Sequence, residues 1–512
     1  MAAHGPPPGP ACVALETKSA LGRTPPPKAH IQGRNGTLRA RPLPQPVAIS
    51  KAANMTRQQP YTAHARAILL LGLPLIGGQI AQMLISLTDT VMMGWYGVPE
   101  LAALTLANTL FMTLFLVGSC FAWAVMPMVA SFAASGDERQ IRRVTRMGLW
   151  LSLAVFAICL PALWFSAPLL RMLGQEAQVA QDAQGYLRIA GWGLAFALGV
   201  MVLKSYLAAL EHTRVVFWIT VIAAVANAIA NYALIFGNWG APELGIRGGA
   251  IASLVSHGIS LVGVVIYARV KLPQYPLWQR FWRSDTEMLR EVFALGWPIG
   301  LTTLAEVGLF AASALLIGLL GTAPLAAHGI ALQISAITFM VHLGLANVAT
   351  VRAGQARGRG DSAFLERDAH TVFALSVVAV VVTVVVFLTL PELLVGVFLS
   401  PSDPDRDTIL AIGVALLMVA ALFQLVDALQ VVTLGLLRGL QDTRVPMVFA
   451  GFAYWGLGLP AAWGLGIVAG LGAVGVWFGL VTGLGAAAVL LLYRFWGRAV
   501  PALRLARGAA RD

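Results

Sequence analysis

Residues 74–103 read PLIGGQIAQMLISLTDTVMMGWYGVPELAA, an apolar helical stretch with a carboxylate, Asp89, buried in it, and the chain repeats it. A shift of 224 residues places Pro74 on Pro298, Gly94 on Gly318 and Gly97 on Gly321. With no gap, the same shift carries Phe115 onto Phe339 and Gly136-Asp137 onto Gly360-Asp361. A second block, LEHTRV at 210–215, matches LQDTRV at 440–445 at a shift of 230. Two halves of similar length, each carrying both landmarks, are an internal duplication. Duplicated bundles of membrane helices with a charge at the midplane are the habit of secondary transporters.

Composition excludes an ordinary soluble domain. Of 512 residues 58% are hydrophobic and 11% charged, where soluble chains carry about 25% charged residues. A membrane span needs about 20 mostly apolar residues. Twelve segments meet that length, at 67–93, 101–131, 144–166, 183–203, 215–236, 248–268, 291–318, 325–350, 371–390, 408–436, 446–468 and 472–493. The predicted fold is all-α and integral to the membrane, twelve helices in two pseudo-symmetric lobes of six. Pro74 and Pro298 fall inside equivalent helices and read as matched kinks, the alternative being that each opens its helix.

The basic residues orient the chain. Loops after even helices carry Arg139, Arg142, Arg143 and Arg146, then Arg269, Lys271, Arg280 and Arg283, then Arg352, Arg357 and Arg359. Loops after odd helices carry only Arg171, Arg247 and Arg406. The positive-inside rule then expects both termini in the cytoplasm. The net charge of +12 is spread over every inner loop, so no nucleic-acid partner is expected.

The expected organisation runs as follows. Residues 1–60 form a disordered Pro/Arg-rich tail, with Met55 as an alternative start that would leave 1–54 an over-long leader. Residues 61–269 and 291–493 are the two lobes, 270–290 a cytoplasmic linker and 494–512 a basic cytoplasmic tail. The linker holds Trp278, Phe281 and Trp282 among Arg280 and Arg283. It is expected to lie along the membrane surface and to join the bundles rather than form a specific lipid site. Cys12, Cys120 and Cys159 fit no metal or disulfide spacing and read as small apolar fillers.

Polar side chains within spans are costly and mark function. In the first helix Gln79, Gln82, Ser86 and Asp89 recur at spacings of three and four, one polar stripe on one face. The repeat maps Gln79 onto Thr303, Gln82 onto Glu306 and Asp89 onto Ser313. The stripe is kept, but its carboxylate has moved two turns along the helix. The fifth helix offers Asn227 and Asn231, and the tenth Gln424 and Asp427. A lone Asn or Gln also serves as glue between helices, whereas an unpaired carboxylate reads as a cation or proton site. Arg188 and Lys204, near the two ends of the fourth helix, are alternative partners for an acid. His257, His328 and His342 read as packing or hydrogen-bonding residues. A charged carboxylate out of water is costly, so it takes a proton or a nearby cation. A proton or Na⁺ and a cationic substrate then compete for one negative charge, which is antiport in outline.

At these residues the chain resembles the multidrug and toxic compound extrusion (MATE) family in its NorM-like bacterial branch, over about residues 60–495. The carrying motifs are DTVMMGWYG (89–97), NAIANYALIFG (227–237), LGIRGGAIAS (244–253), LAEVGLF (304–310), PLAAHGIALQIS (324–335) and LLRGLQDTRVPM (436–447). The resemblance implies a V-shaped pair of lobes in the bacterial inner membrane that alternates in access. It implies export of small cationic amphipathic compounds in exchange for Na⁺ or H⁺. Carried over by motif, Asp89, Glu306 and Asp427 are the coupling acids, with Asn227, Asn231, Gln82, Gln424 and Ser313 as supporting ligands. Glu306 and Asp427 together look like the branch whose cation site, a possible Na⁺ site, lies in the C-terminal lobe. Asp405 or Asp407 is a weaker match to a further outer acid. Gly329 departs from the commoner AAHQI pattern, which removes a polar contact beside His328.

No cofactor is expected beyond the coupling ion, and the partners expected are organic cations and membrane lipid, with the chain a monomer. A flippase for lipid-linked oligosaccharides would instead line its cavity with cations. An intramembrane enzyme is not expected, since neither HExxH nor GxSxG occurs. A passive channel fits poorly, because the polar residues form patches and not a ring.

Overall fold

In the computed structural model, residues 60–400 and 404–509 are described. The proline-rich tail expected over 1–60 lies, Pro60 apart, outside them, as does Cys12. Among the described residues twelve helices are long and apolar enough to cross a membrane. In the first half they are α1 Tyr61–Tyr96, α2 Val98–Ser135, α3 Glu138–Trp164, α4 Ala177–Ala209, α5 Thr213–Phe236 and α6 Ile246–Lys271. In the second they are α7 Thr286–Gly318, α8 Thr322–Arg359, α9 Ser362–Thr389, α10 Arg406–Gly439, α11 Arg444–Val468 and α12 Gly472–Leu505.

The duplication extends to the joints. Asp137 caps α3 by accepting from the Gln140 amide, and its repeat partner Asp361 caps α9 from the Phe364 amide. The glycine before each cap holds a left-handed backbone, φ 78° at Gly136 and 62° at Gly360, which a side chain would strain. Short helices Ser166–Met172 and Pro391–Gly396 follow α3 and α9 at matching places. Pro74 and Pro298 both lie in helix interiors, so neither opens its helix. Each removes a backbone hydrogen bond there.

One expectation about a helix end changes. The final helix continues past 494, where a tail was expected. Its last turns carry Arg504, which pairs with Glu366 of α9 at 2.8 Å and holds the segment to the bundle. The eleventh span is wound loosely, as π-type turns, at Phe452–Gly458 and Gly464–Val468. The first of these turns carries Tyr454 and Trp455 to neighbouring helices, as described below.

The two halves meet through α1, α2 and α3 on one side and chiefly α7, α8 and α9 on the other. In lipid there is little hydrophobic gain in bringing helices together, so close backbone approach through small residues matters. A Cβ on Gly358 of α8 would fall 2.1 Å from the Ser131 carbonyl of α2, and one on Gly354 3.0 Å from that of Pro127. Gly344 approaches Ile76 of α1 in the same way. These contacts run from mid-helix toward the end of the bundle where α1 begins and α8 ends, which is also where the basic loops gather.

A buried polar knot closes that end. Asp368 of α9 accepts two bonds from Arg352 of α8, at 2.7 and 2.9 Å, and lies 2.6 Å from His64 Nδ1 of α1. All three side chains are buried, and the Arg352 guanidinium sits 4.6 Å over the Phe364 ring. Gln355 adds a 2.7 Å bond to Glu211, beyond α4. Away from these contacts the outward faces are apolar and exposed, as at Leu73, Ile158 and Val382, a surface suited to lipid.

Candidate functional site

Each half builds its own acidic site, and the two differ in kind. In the first, Asp89 of α1 is buried among α5 and α6. Asn231 donates to its Oδ1 at 2.6 Å and Ser253 to its Oδ2 at 3.2 Å. Asn231 also donates to Asn227 Oδ1 at 3.1 Å. The i,i+4 spacing of the two asparagines sets both on the α5 face that meets α1. The cavity beside Asp89 measures about 40 Å³ and is lined by Gln82, Asn108, Tyr186, Ser253 and His257 among others. One water takes up about 30 Å³ of liquid volume, so this site has room for a water or an ion and not for a drug. The Asn231 side-chain oxygen is buried without a hydrogen-bond partner among the described residues, a spare hard acceptor next to the carboxylate.

The second site is larger and apolar-walled. Glu306 of α7 and Asp427 of α10 line one cavity of about 450 Å³, among Trp123, Phe310, Phe339 and Phe423. That volume is in the range of small-molecule pockets. Trp123 belongs to α2, so the wall between the halves closes the cavity. Asp427 Oδ1 is buried with no hydrogen-bond partner among the described residues. Two carboxylates facing one low-dielectric space repel unless a proton or cation lies between them. Arg438, at the basic end of α10, also lines the cavity, its guanidinium 5.9 Å from the Trp123 ring. The two acids and one arginine leave it acidic on balance.

The π-type turn of α11 frames Glu306. Trp455 donates to the carbonyl of Ala305 at 3.1 Å, and Tyr454 accepts from Gln430 at 2.6 Å. Such turns recur at functional sites because they re-aim side chains without ending the helix.

The other sequence candidates lie elsewhere. Ser313 is buried and donates to the Leu309 carbonyl of its own helix at 2.9 Å. Gln424 bonds Ser335 and Thr338 of α8, as helix-to-helix glue. Asp405 stands immediately before α10, and Asp407 is almost fully exposed beside Arg406 at 3.7 Å. At 1.5 Å per residue, both stand about 30 Å along the helix from Asp427. Arg188 is exposed and bonds the Trp164 carbonyl at 3.2 Å, away from Asp89. His328 accepts from Trp477 at 3.0 Å and His342 meets Ser376 at 3.1 Å. The space beside Gly329 is open. Cys120 and Cys159 are buried and unpaired, and among the described residues no cluster of His, Cys, Asp and Glu could hold a metal ion.

Sequence reasoning missed Ser253, Asn108 and Tyr186 around Asp89, and Arg438 in the second cavity. Ser253 ends the motif LGIRGGAIAS and stands one turn before His257, a polar i,i+4 pair that could have marked the face.

Comparison with known proteins bears on the whole arrangement. The MatE family profile matches residues 74–233 and 298–463. The two matches begin at Pro74 and Pro298, the residues aligned by the 224-residue repeat. The chain belongs to the MatE family. Among MatE relatives, the "Probable multidrug resistance protein NorM" of Rhizobium meliloti (strain 1021) is 45% identical over 441 residues, 85% of this chain and 94% of that protein. The corresponding protein of Agrobacterium fabrum (strain C58) is 43% identical over 85% and 94%. A structure described as the outward-facing conformation of a multidrug resistance MATE family transporter superposes with a TM-score of 0.78 at 20% identity, covering 88–89% of this chain in it and in a MATE P26A mutant. Those structures cover 99% and 98% of their own chains. A transporter from Pyrococcus furiosus, described as having a binding pocket of reversed polarity, scores 0.77 at 20% identity over 86% of this chain and 97% of that one. At that identity the likeness establishes the fold. Twelve spanning helices and bacterial relatives make this MatE chain a multi-pass bacterial membrane protein.

Proposed function

We propose that this chain is a secondary active efflux transporter of the bacterial inner membrane, exporting cationic amphipathic compounds by antiport with Na⁺ or H⁺ through alternating access. The observation that carries it is the aromatic-walled cavity of about 450 Å³ in the second half, with Glu306 and Asp427 inside and Asp427 Oδ1 without a hydrogen-bond partner among the described residues. Aromatic faces take flat organic cations and the carboxylates supply the counter-charge. The relatives' description as multidrug resistance proteins supports the substrate class.

Glu306 and Asp427 are the shared site of substrate and coupling ion, and Asp89, held by Asn227, Asn231 and Ser253, is a second ion site. The supporting role is kept for Gln82, which lines the Asp89 cavity; Gln424 and Ser313 serve packing. Asp405 and Asp407 belong to the mouth. The two lobes are residues 61–269 and 291–493, with the basic end and both termini in the cytoplasm and the chain working as a monomer. In that orientation the arrangement described is closed on the cytoplasmic side. No nucleic acid and no enzymatic step enters. A flippase for lipid-linked oligosaccharides would use Arg438 against a pyrophosphate, but two acids outweigh one arginine in the same cavity.

The test is efflux of ethidium from proteoliposomes, with a pH gradient and a Na⁺ gradient imposed separately. Transport under one gradient, reduced at least tenfold in Glu306→Gln and Asp427→Asn, is expected on the scale of losing a charge contact of ~1.5–3 kcal/mol. Dye that stays in place under both gradients with folded protein would remove the drug-export function.

A further inference from the structure

A second polar cavity, unrelated to the two acidic sites, opens at the basic end between α3 and the linker that joins the halves. It measures about 670 Å³, and six arginines line it: Arg139, Arg142, Arg143, Arg146, Arg280 and Arg283. Two acids line it too, Asp285 and Glu287, and both are committed to Arg143, at 2.5–2.9 Å and 2.7 Å. Among the described residues the other five arginines have no carboxylate partner. Arg146 donates from Nη1 to the carbonyls of Gln279 and Arg280, both at 3.1 Å, while its Nε is buried with no partner among the described residues. Among the described residues the cavity lining therefore carries a surplus of four positive charges, six arginines against two acids.

The walls are built rather than loose. Trp150 of α3 donates to the Phe281 carbonyl at 2.9 Å and stacks on that ring. Trp278 packs against the same Phe281 ring, 6.0 Å between centroids, and has the Arg269 guanidinium 5.3 Å from its own ring. Arg280 holds a left-handed backbone at φ 54°, a conformation that costs a residue with a side chain and persists where surroundings impose it. Beside the cavity Trp282 is 78% exposed. An exposed indole next to clustered arginines is the pattern of the headgroup level of a bilayer.

We propose that this arginine-lined cavity binds the phosphate of an anionic membrane lipid. The arginine fork fits phosphate oxygens two at a time, and clustered basic side chains at the membrane surface gather anionic lipid. Bound there, a headgroup would tie α3 to the linker and so brace the joint between the halves. The cavity lies outside the transport sites, and the proposal stands whatever the chain exports.

The experiment uses full-length protein stripped of lipid in a neutral detergent, with binding read by native mass spectrometry and by thermal shift. The probes are phosphatidylglycerol, phosphatidylcholine and inorganic pyrophosphate, on wild type and Arg142→Gln/Arg283→Gln. Neither arginine bonds another side chain, so the variant is expected to keep its melting temperature without ligand. Removing two basic contacts should weaken phosphatidylglycerol about thirtyfold and leave phosphatidylcholine unchanged. A tenfold loss for pyrophosphate with none for phosphatidylglycerol would keep the phosphate site and reject a lipid as its ligand. Equal binding of every probe by both proteins would overturn the proposal. If the variant melts early, Arg142→Lys/Arg283→Lys keeps the charge and loses the fork, and must still show a weaker, salt-sensitive interaction with phosphatidylglycerol than wild type.

Discussion

Asn231 and Asp89 are joined by a 2.6 Å hydrogen bond between two buried side chains of α5 and α1. With Ser253 on the other oxygen, Asp89 is held in one orientation inside the first half. Asp427 of the second half has no such partner on its Oδ1 among the described residues. The duplicated halves have thus come to hold two different acidic sites, one small and bonded and one open to a cavity of drug size.

The Asp89 bond should be measurable as a coupling. A double-mutant cycle of Asp89→Asn and Asn231→Ala, read as thermal stability in detergent, is expected to give an interaction of ~1.5–3 kcal/mol, the range for hydrogen bonds to charged groups. A coupling near zero would mean that Asp89 is already neutralised without Asn231.

The buried knot of His64, Arg352 and Asp368 makes a sharper demand. Asp368→Asn leaves the Arg352 guanidinium buried without its counter-charge, a change that costs ~3–5 kcal/mol in comparable pairs. His64→Gln removes only one contact and should cost less. Because the knot joins α1 to α8 and α9, Asp368→Asn is also expected to raise labelling of an engineered cysteine at Ser131. Stability and labelling equal to wild type would show that the knot does not hold the halves.

Backbone proximity at the same end gives an independent check. In Gly358→Ala the new methyl meets the Ser131 carbonyl, so α2 and α8 must separate. The expected result is folded protein with at least a severalfold loss of transport, since close approach through small residues is what packs helices in lipid. Gly329→Ala, where the new methyl would meet nothing within 4 Å beyond its own helix backbone, is the control and should transport normally.

The linker is expected to loosen in acid. Arg143 holds the Asp285 carboxyl below the usual carboxylate range. A lowered native value adds stability that is full above the ordinary value of ~3.9 and is lost as pH falls through the native one. Asp285→Asn should therefore melt below wild type by a constant margin from pH 7 to 5, and the margin should shrink toward pH 3. A margin independent of pH down to 3 would assign the effect to the helix cap alone, since Asp285 also accepts the Met288 amide at 3.2 Å.

Much of this was legible in the residues, for physical reasons. The 224-residue repeat and apolar runs gave twelve helices, because a bilayer demands length and apolarity that few other contexts do. Asp89, Asn227 and Asn231 could be read because polar groups are rare in spans and helical spacing groups them. Gln424 and Ser313 looked the same by that rule, yet one bonds a neighbouring helix and the other its own backbone. Residue type and spacing do not say what lies opposite. The His64–Asp368 contact joins residues 304 apart, and no local pattern announces it. The π-type turns of α11 were hidden as well, because a widened turn changes register without changing composition.

The central claim is that substrate and coupling ion share Glu306 and Asp427, and equilibrium binding of ethidium to purified protein tests it most directly. Wild type should bind the dye more weakly as either Na⁺ or H⁺ rises. Glu306→Gln/Asp427→Asn should bind it weakly throughout, with no dependence on that ion, while Asp89→Asn should keep the competition in the large cavity. Competition that survives the loss of both second-half acids would contradict the shared site.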